Sequence, residues 1–196
     1  FIENIPINKI SHWSHENGVI KRVDEKYFSV IGVNVSIENR EVISWDQPMV
    51  KPSQEGLVAF IIRPINGVYH FLVQAKLEAG NFDIIELAPT VQCLTGNYRT
   101  GYNEYSVPYI NEILSAQKSR VILDVMQSEE GGRFFNEQNR NMIVDVGENF
   151  SLEVNENYFW MTLNQLLRLI EFNNYLNIAS RSLISAITFE EKINYD

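Results

Sequence analysis

Residues 57–76 read LVAFIIRPINGVYHFLVQAK and include the longest apolar run of the chain, residues 57–62. Residues 57–63 and 69–76 predict two strands, because short apolar runs bounded by turn residues are typical of buried β-structure. Asn66-Gly67 lies between them and accommodates positive φ angles, which two-residue hairpin turns require. The stretch therefore predicts an antiparallel β-hairpin.

Two more regions of the chain show strand patterns. Apolar residues alternate over 27–37, which predicts a half-buried strand. Residues 120–127 and 139–146 predict a second hairpin, whose long polar connection contains Gly131-Gly132. A connection of this length exceeds a tight turn, which is typical of a loop with a function.

Helix signals are fewer and come mainly late in the chain. A short leading helix is predicted at residues 5–10, and a second helix over 107–114 with Ser106 as its cap and Pro108 in its first turn. Thr162 and Gln165 match a capping box, and a last helix is predicted over 178–187. Because strands and helices do not alternate regularly, the order predicts one α+β domain with a mixed sheet over residues 1–196.

Composition excludes several classes of protein. The 196 residues are 45% hydrophobic and 21% charged, which is typical of a globular chain. A net charge of −9 disfavours nucleic acid and anionic membrane surfaces as partners. No apolar run approaches the roughly 20 residues that span a bilayer, and no leader pattern opens the chain. We therefore expect a soluble, unexported, cytoplasmic protein without a membrane partner.

Familiar metal and cofactor motifs are missing from the sequence. Phosphate-loop, dinucleotide-binding and Gly-x-Ser-x-Gly patterns do not occur, and the single Cys93 with three histidines announces no metal site. Gly80 and Glu86 fit the first half of the magnesium-binding Nudix box, but Leu94 stands where that box needs arginine. We therefore expect neither a metal nor a cofactor, and no metal-dependent pyrophosphate hydrolysis.

Three polar segments fall where strands and loops should meet: residues 69–76, residues 86–98, and residues 127–142. Taken singly, each has an ordinary explanation as a strand leaving the core, a turn around Pro89, or a solvated hairpin loop. Taken together, they resemble the NDP-hexose 2,3-dehydratase family. The residues that match are Gln74-Ala75-Lys76, Leu87-Ala88-Pro89-Thr90-Val91-Gln92, Asn97-Tyr98, Gln127-Ser128-Glu129, Arg133-Phe134 and Asn139-Arg140-Asn141-Met142.

This resemblance implies a fold and an activity. The fold is a Nudix-like mixed β-sheet sandwich with flanking helices, in which the Nudix metal box is absent. The activity is that of a cofactor-free lyase, which eliminates water across C2–C3 of a dTDP-4-keto-6-deoxyhexose during the synthesis of deoxysugars.

The resemblance also implies which residues form the site. Lys76, Tyr98 and Glu129 are the expected catalytic residues. Glu129 is the leading candidate for the base that takes the C3 proton, and Lys76 and Tyr98 are candidates for the partner of the enolate oxygen or for general acid/base work. Arg133 and Arg140 can each donate two hydrogen bonds to diphosphate oxygens. The other expected ligand-binding residues have amide side chains: Gln74, Gln92, Asn97, Gln127 and Asn139. Trp45 or Tyr102 could stack on the base, and a core role for Trp45 is the alternative.

Members of the family typically carry two such repeats in tandem, whereas this sequence contains one. The resemblance therefore predicts a homodimer that rebuilds the paired arrangement. Two alternatives remain open at this point. One is a non-catalytic subunit that binds the nucleotide sugar. The other is a keto-sugar isomerase, because removal of a proton beside the ketone starts isomerisation as well as dehydration.

Overall fold

The computed structural model describes residues 2–95 and 106–187, and these divide into two compact units. Among the described residues, the first unit holds 2–56, 94–95 and 126–140, and the second holds 57–93, 106–125 and 141–187. Strands dominate both units and helices are short, so the predicted α+β class is confirmed. The single domain over residues 1–196 stays a prediction.

The first unit contains a four-stranded sheet in chain order. A 3₁₀ turn at Ile7–Lys9 precedes β1 (Trp13–Glu16), β2 (Val19–Arg22), β3 (Phe28–Ser36) and β4 (Ser44–Pro52), and neighbouring strands are antiparallel. The leading helix is thus confirmed as a single turn, and β3 confirms the strand predicted at 27–37. The sequence did not predict β4, which contains two prolines. It lies at an edge of this sheet, where a missing amide proton is tolerated.

The second sheet is built around the hairpin predicted from residues 57–76. Its path is β11-β6-β5-β10-β9, with β7 paired to β6 and β8 paired to β5. The seven strands are β5 (Gly56–Ile65), β6 (Val68–Leu77), β7 (Ile85–Ala88), β8 (Val91–Leu94), β9 (Val121–Ser128), β10 (Gln138–Asp145) and β11 (Tyr158–Thr162). Both predicted hairpins are confirmed, because β5 pairs with β6 and β9 lies beside β10.

The β5–β6 turn shows why that hairpin was predictable. Asn66 and Gly67 have φ angles of 51° and 78°, the positive values that a tight two-residue turn needs. The strands leaving this turn supply much of the second unit's core, in which Phe60 and Phe71 meet edge to face at 5.4 Å. Val58, Val73 and Ile143 are buried in the same cluster.

The α-helices in the described part of the second unit are α1 (Ile110–Leu114), α2 (Leu163–Ile170) and α3 (Ile178–Ser185). The capping box at Thr162 is confirmed, since its hydroxyl accepts from the Gln165 amide and the Gln165 side chain accepts from the Thr162 amide. The last helix is confirmed and ends at Ser185, two residues earlier than predicted.

The start predicted for α1 is wrong. Ser106 does not cap the helix and Pro108 is not in its first turn; Tyr109 occupies the N-cap position with a left-handed φ of 60°. Tertiary contacts hold Tyr109 there. Its hydroxyl accepts from the Asn155 amide at 3.0 Å, and its ring packs against Tyr158 at 4.8 Å. The helix can therefore begin only after this residue.

Candidate active site

The first unit contains a half-buried polar face at the connected end of β9 and β10. Side chains alternate there: Ser128, Glu130, Asn136 and Gln138 are exposed, while their neighbours are half-buried. Such alternation places every second residue on one side of a β-ribbon. The half-buried set is Gln127, Glu129, Glu137 and Asn139, and we call it the hairpin face.

Glu129 is held on this face by hydrogen bonds. Its carboxylate Oε1 accepts from Asn139 Nδ2 at 2.7 Å, and Asn139 Oδ1 in turn accepts from the buried Gly56 amide at 2.8 Å. The Glu129 amide also donates to the Glu137 carbonyl at 3.0 Å, which continues the strand pairing beyond the end of β9. The carboxylate is thus fixed by both backbone and side chain.

Glu137 lies opposite Glu129 across this pairing and was not predicted from the sequence. Burial raises the pKa of Glu137, and the negative charge of Glu129 raises it further. A period-two pattern counted back from Asn139 would have indicated Glu137, because residues 137 and 139 of a strand share one face.

The loop between Glu129 and Glu137 presents Arg133 to solvent. Its backbone is anchored to β4, since the Val50 amide donates to the Arg133 carbonyl at 2.9 Å and Gln47 Nε2 donates to the Gly132 carbonyl at 2.7 Å. The Arg133 guanidinium is 68% exposed and lies 3.0 Å from Glu130. A fixed backbone with an exposed guanidinium suits an anion that arrives from solvent.

Trp45 and Arg140 are the other candidates in this unit. The Trp45 indole donates to Gln47 Oε1 at 2.6 Å, and the Arg40 guanidinium lies over its ring at 5.8 Å. Trp45 is half-buried, and it contacts the Gln47 side chain that holds the Gly132 carbonyl of the loop. Its role in base stacking stays a prediction. Arg140 is half-buried in β10.

The second unit contains a separate cluster around Lys76. The Lys76 ammonium lies 2.8 Å from the Glu78 carboxylate and donates to the Gln92 carbonyl at 3.4 Å. Gln74 lies two residues earlier on the same strand face and is half-buried. Its side-chain amide has no hydrogen-bond partner among the described residues. The cluster thus joins two of the predicted residues, Lys76 and Gln92.

Asn177, which the sequence did not assign to the site, orients Gln92. Asn177 is only 4% exposed, and its Nδ2 donates to Gln92 Oε1 at 2.7 Å. The same side chain caps α3 by accepting from the Ser180 amide at 2.9 Å. Within the described ranges, Gln92 Nε2 has no acceptor.

Cys93 follows Gln92 and is a poor nucleophile. Burial raises the pKa of its thiol to about 11, although the nearby Lys76 charge opposes this change. The thiolate that nucleophilic chemistry needs is therefore scarce at neutral pH.

Tyr98, Asn97 and Tyr102 lie outside the described residues. Among residues 2–95 and 106–187, no group of three or more His, Cys, Asp or Glu side chains is arranged to hold a metal ion. In the same ranges, no helix has the length and hydrophobicity needed to cross a membrane.

Comparison with known proteins identifies the family. The model of the family described as NDP-hexose 2,3-dehydratase matches residues 2–187. The chain belongs to the NDP-hexose 2,3-dehydratase family. Curated relatives include dTDP-4-dehydro-6-deoxy-α-D-glucopyranose 2,3-dehydratases from Streptomyces violaceoruber, 40% identical over 93% of this chain, and from Saccharopolyspora spinosa, also 40% identical over 93%.

As an NDP-hexose 2,3-dehydratase family member, the chain spans 41% and 38% of the lengths of these two relatives. Similar solved structures include an ADP compounds hydrolase, with a TM-score of 0.49, 12% identity, and coverage of 90% of this chain and 92% of that one. A Nudix hydrolase from M. smegmatis gives a TM-score of 0.42 at 12% identity, covering 82% and 99%. Similarity at this level supports no statement about activity.

Proposed function

We propose that this chain is a dTDP-4-keto-6-deoxyhexose 2,3-dehydratase, a carbon–oxygen lyase of deoxysugar biosynthesis. The observation that supports this most directly is the 40% identity to named 2,3-dehydratases over 93% of the chain. Because the chain covers less than half of those enzymes, the activity of this chain by itself is what must be tested.

Glu129 is the base in this proposal. The C4 ketone acidifies the proton at C3, and a carboxylate oxygen within hydrogen-bond distance of that proton can remove it. Asn139 occupies Glu129 Oε1, which leaves Oε2 for the substrate. Asn139, which the sequence placed among the ligand-binding residues, thus has a supporting contact with the base as well.

Lys76 is proposed to donate to the C4 oxygen as it becomes an enolate, in the role that the sequence assigned to Lys76 or Tyr98. A fixed donor aimed at developing charge contributes about 3 kcal/mol to the lowering of a barrier. Glu78, at 2.8 Å, and the Gln92 carbonyl hold the ammonium in one orientation. Gln74 and Gln92 have amide groups that suit sugar hydroxyls or the base.

The diphosphate is proposed to bind Arg133 and Arg140, and the amide groups of Gln127 and Asn97 suit sugar hydroxyls or the base edge. Arg133 exchanges its exposed pair with Glu130 for the diphosphate at little cost, because exposed ion pairs contribute only about 0–1 kcal/mol. A local pair of arginines explains how a chain of net charge −9 could hold an anion.

We also propose that two copies associate as a homodimer, that each chain forms one domain over residues 1–196, and that the protein is cytoplasmic. The first point follows from the family resemblance, because a second copy would supply a paired arrangement of this fold. Sedimentation at micromolar concentration tests it: a monomer at every concentration would contradict the homodimer.

The direct test of activity combines the protein with dTDP-4-keto-6-deoxyglucose and a 3-ketoreductase, and follows the sugar by mass spectrometry. We expect a product that has lost water. An intact sugar at high protein concentration would refute the dehydratase. A product of unchanged mass with a moved carbonyl would indicate an isomerase, and calorimetric binding of dTDP without turnover would indicate a binding subunit.

A further inference from the structure

The hairpin face contains two carboxyl groups in unequal surroundings. Asn139 Nδ2 donates to Glu129, whereas no described residue donates a hydrogen bond to the Glu137 carboxyl or forms an ion pair with it. A hydrogen-bond donor stabilises the ionised form of a carboxyl group. Of the two, Glu129 has the donor that stabilises a carboxylate, whereas burial and the nearby Glu129 charge raise the pKa of Glu137.

The backbone brings the two groups to the same side. The Glu129 amide donates to the Glu137 carbonyl at 3.0 Å, and residues that face each other across an antiparallel pair have Cβ atoms about 5 Å apart. Both side chains are half-buried, while the residues directly before and after each of them are exposed. Like charges that face each other at this separation are unfavourable, and a proton on Glu137 relieves that repulsion.

We propose that Glu137 is a further catalytic residue, the acid that protonates the departing C2 hydroxyl while Glu129 takes the C3 proton. This inference rests on the proposed dehydratase function. An elimination needs both groups, because hydroxide is a poor leaving group and the C3 proton needs an acceptor. Glu137 supplies the acid, a role for which the sequence offered only Lys76 and Tyr98 as candidates.

The step balances as follows in atoms and electrons. Glu129 takes the C3 proton, and the C–H electron pair forms the enolate of the C4 ketone. The enolate then re-forms the ketone as the C2–C3 double bond is made and the C2–O bond breaks. The C2 oxygen leaves as water with the Glu137 proton, and the remaining 3-hydroxy enol relaxes to the 3,4-diketone by moving a proton from O3 to C2.

The test separates proton removal from water loss. Glu137→Gln keeps the side chain's shape but has no proton to give. In heavy water we expect it to exchange the C3 hydrogen of dTDP-4-keto-6-deoxyglucose within about threefold of the unmodified protein. We expect its water loss, measured by mass spectrometry with the 3-ketoreductase, to fall by about 100-fold or more.

The controls address folding and charge. Glu38→Gln makes the same charge change in an exposed segment of the first unit and should leave both rates unchanged. Thermal unfolding reports whether Glu137→Gln is folded. If it is not, Glu137→Asp replaces it, for which water loss should fall while C3 exchange persists.

Two results would overturn the role of Glu137. One is water loss within threefold of the unmodified protein, and the other is an equal fall in exchange and water loss. Failure of the unmodified protein to exchange C3 or to lose water is a different result. It would refute the proposed function itself, and the role of Glu137 with it.

Discussion

The two hairpins of this chain use the same backbone pairing for different purposes. In the β5–β6 hairpin the turn is two residues long, and the strands that leave it bury apolar side chains. In the β9–β10 hairpin residues 129–137 connect the strands, and the connected end presents half-buried carboxyl and amide groups. A continuous run of buried apolar residues therefore marks the hairpin that stabilises its unit, and alternation of exposed and half-buried polar residues marks the one suited to chemistry.

The largest effect on stability is expected in the β5–β6 hairpin. Phe60→Ala removes a fully buried ring that packs against Phe71, and should lower the free energy of unfolding by about 3–5 kcal/mol in urea titrations. Val68→Ala, at an exposed position of the same hairpin, is the matched control. A loss below about 1 kcal/mol for Phe60→Ala would mean that this cluster is not the core of its unit.

The hairpin face should respond to Asn139→Ala in both stability and turnover. The substitution leaves the buried Gly56 amide without its acceptor, which costs about 1–3 kcal/mol, and frees the Glu129 carboxylate. We expect kcat for water loss to fall about tenfold with little change in KM. Gln138→Ala, on the exposed face, is the comparison; equal effects from the two substitutions would contradict a positioning role for Asn139.

The turn of the β5–β6 hairpin should affect stability alone. Gly67 has a φ angle of 78°, and an L-residue in this region costs about 1–2 kcal/mol. Gly67→Ala should therefore lower the urea midpoint while the rate of water loss per folded molecule stays constant. A rate of water loss per folded molecule that falls together with stability would contradict a purely structural role for this turn.

The smallest expected effect is a pH dependence at Glu137. Its folded pKa is raised above the ordinary value of 4.5 by burial first and by the Glu129 charge second, so the folded state binds this proton more tightly than the unfolded state. The stability that this group contributes is complete below the ordinary value and is lost as pH rises through the raised one. Glu137→Gln should thus raise the melting temperature slightly at pH 7 and not at pH 4. A larger gain at pH 4 would contradict the assigned environment.

Local signals made much of the fold predictable. Asn66-Gly67 fixes a turn by its own conformational preference, and the Thr162 capping box involves residues three apart, so both could be read directly. Strand β4 was missed because its prolines are acceptable only at a sheet edge, which depends on pairing rather than on local sequence. The start of α1 was wrong because distant contacts of Tyr109 override the local helix signal.

For the candidate site, the sequence indicated several individual residues but few of the contacts between them. The family resemblance indicated Glu129, Asn139, Lys76 and Gln92, and the structure joins these within each unit as two hydrogen-bonded pairs. It could not indicate that Asn177 orients Gln92, because those residues are 85 positions apart. Glu137 was missed although it lies two residues before Asn139, because its position opposite Glu129 follows from the pairing across the ribbon.

The central claim is that the hairpin face performs the proton chemistry, with Glu129 as its base. The most direct measurement is exchange of the C3 hydrogen of dTDP-4-keto-6-deoxyglucose in heavy water, by the unmodified protein and by Glu129→Gln, with dTDP affinity measured in parallel. We expect exchange to fall by about 100-fold or more in the variant while dTDP affinity is unchanged. Exchange by the variant at the rate of the unmodified protein would contradict the claim.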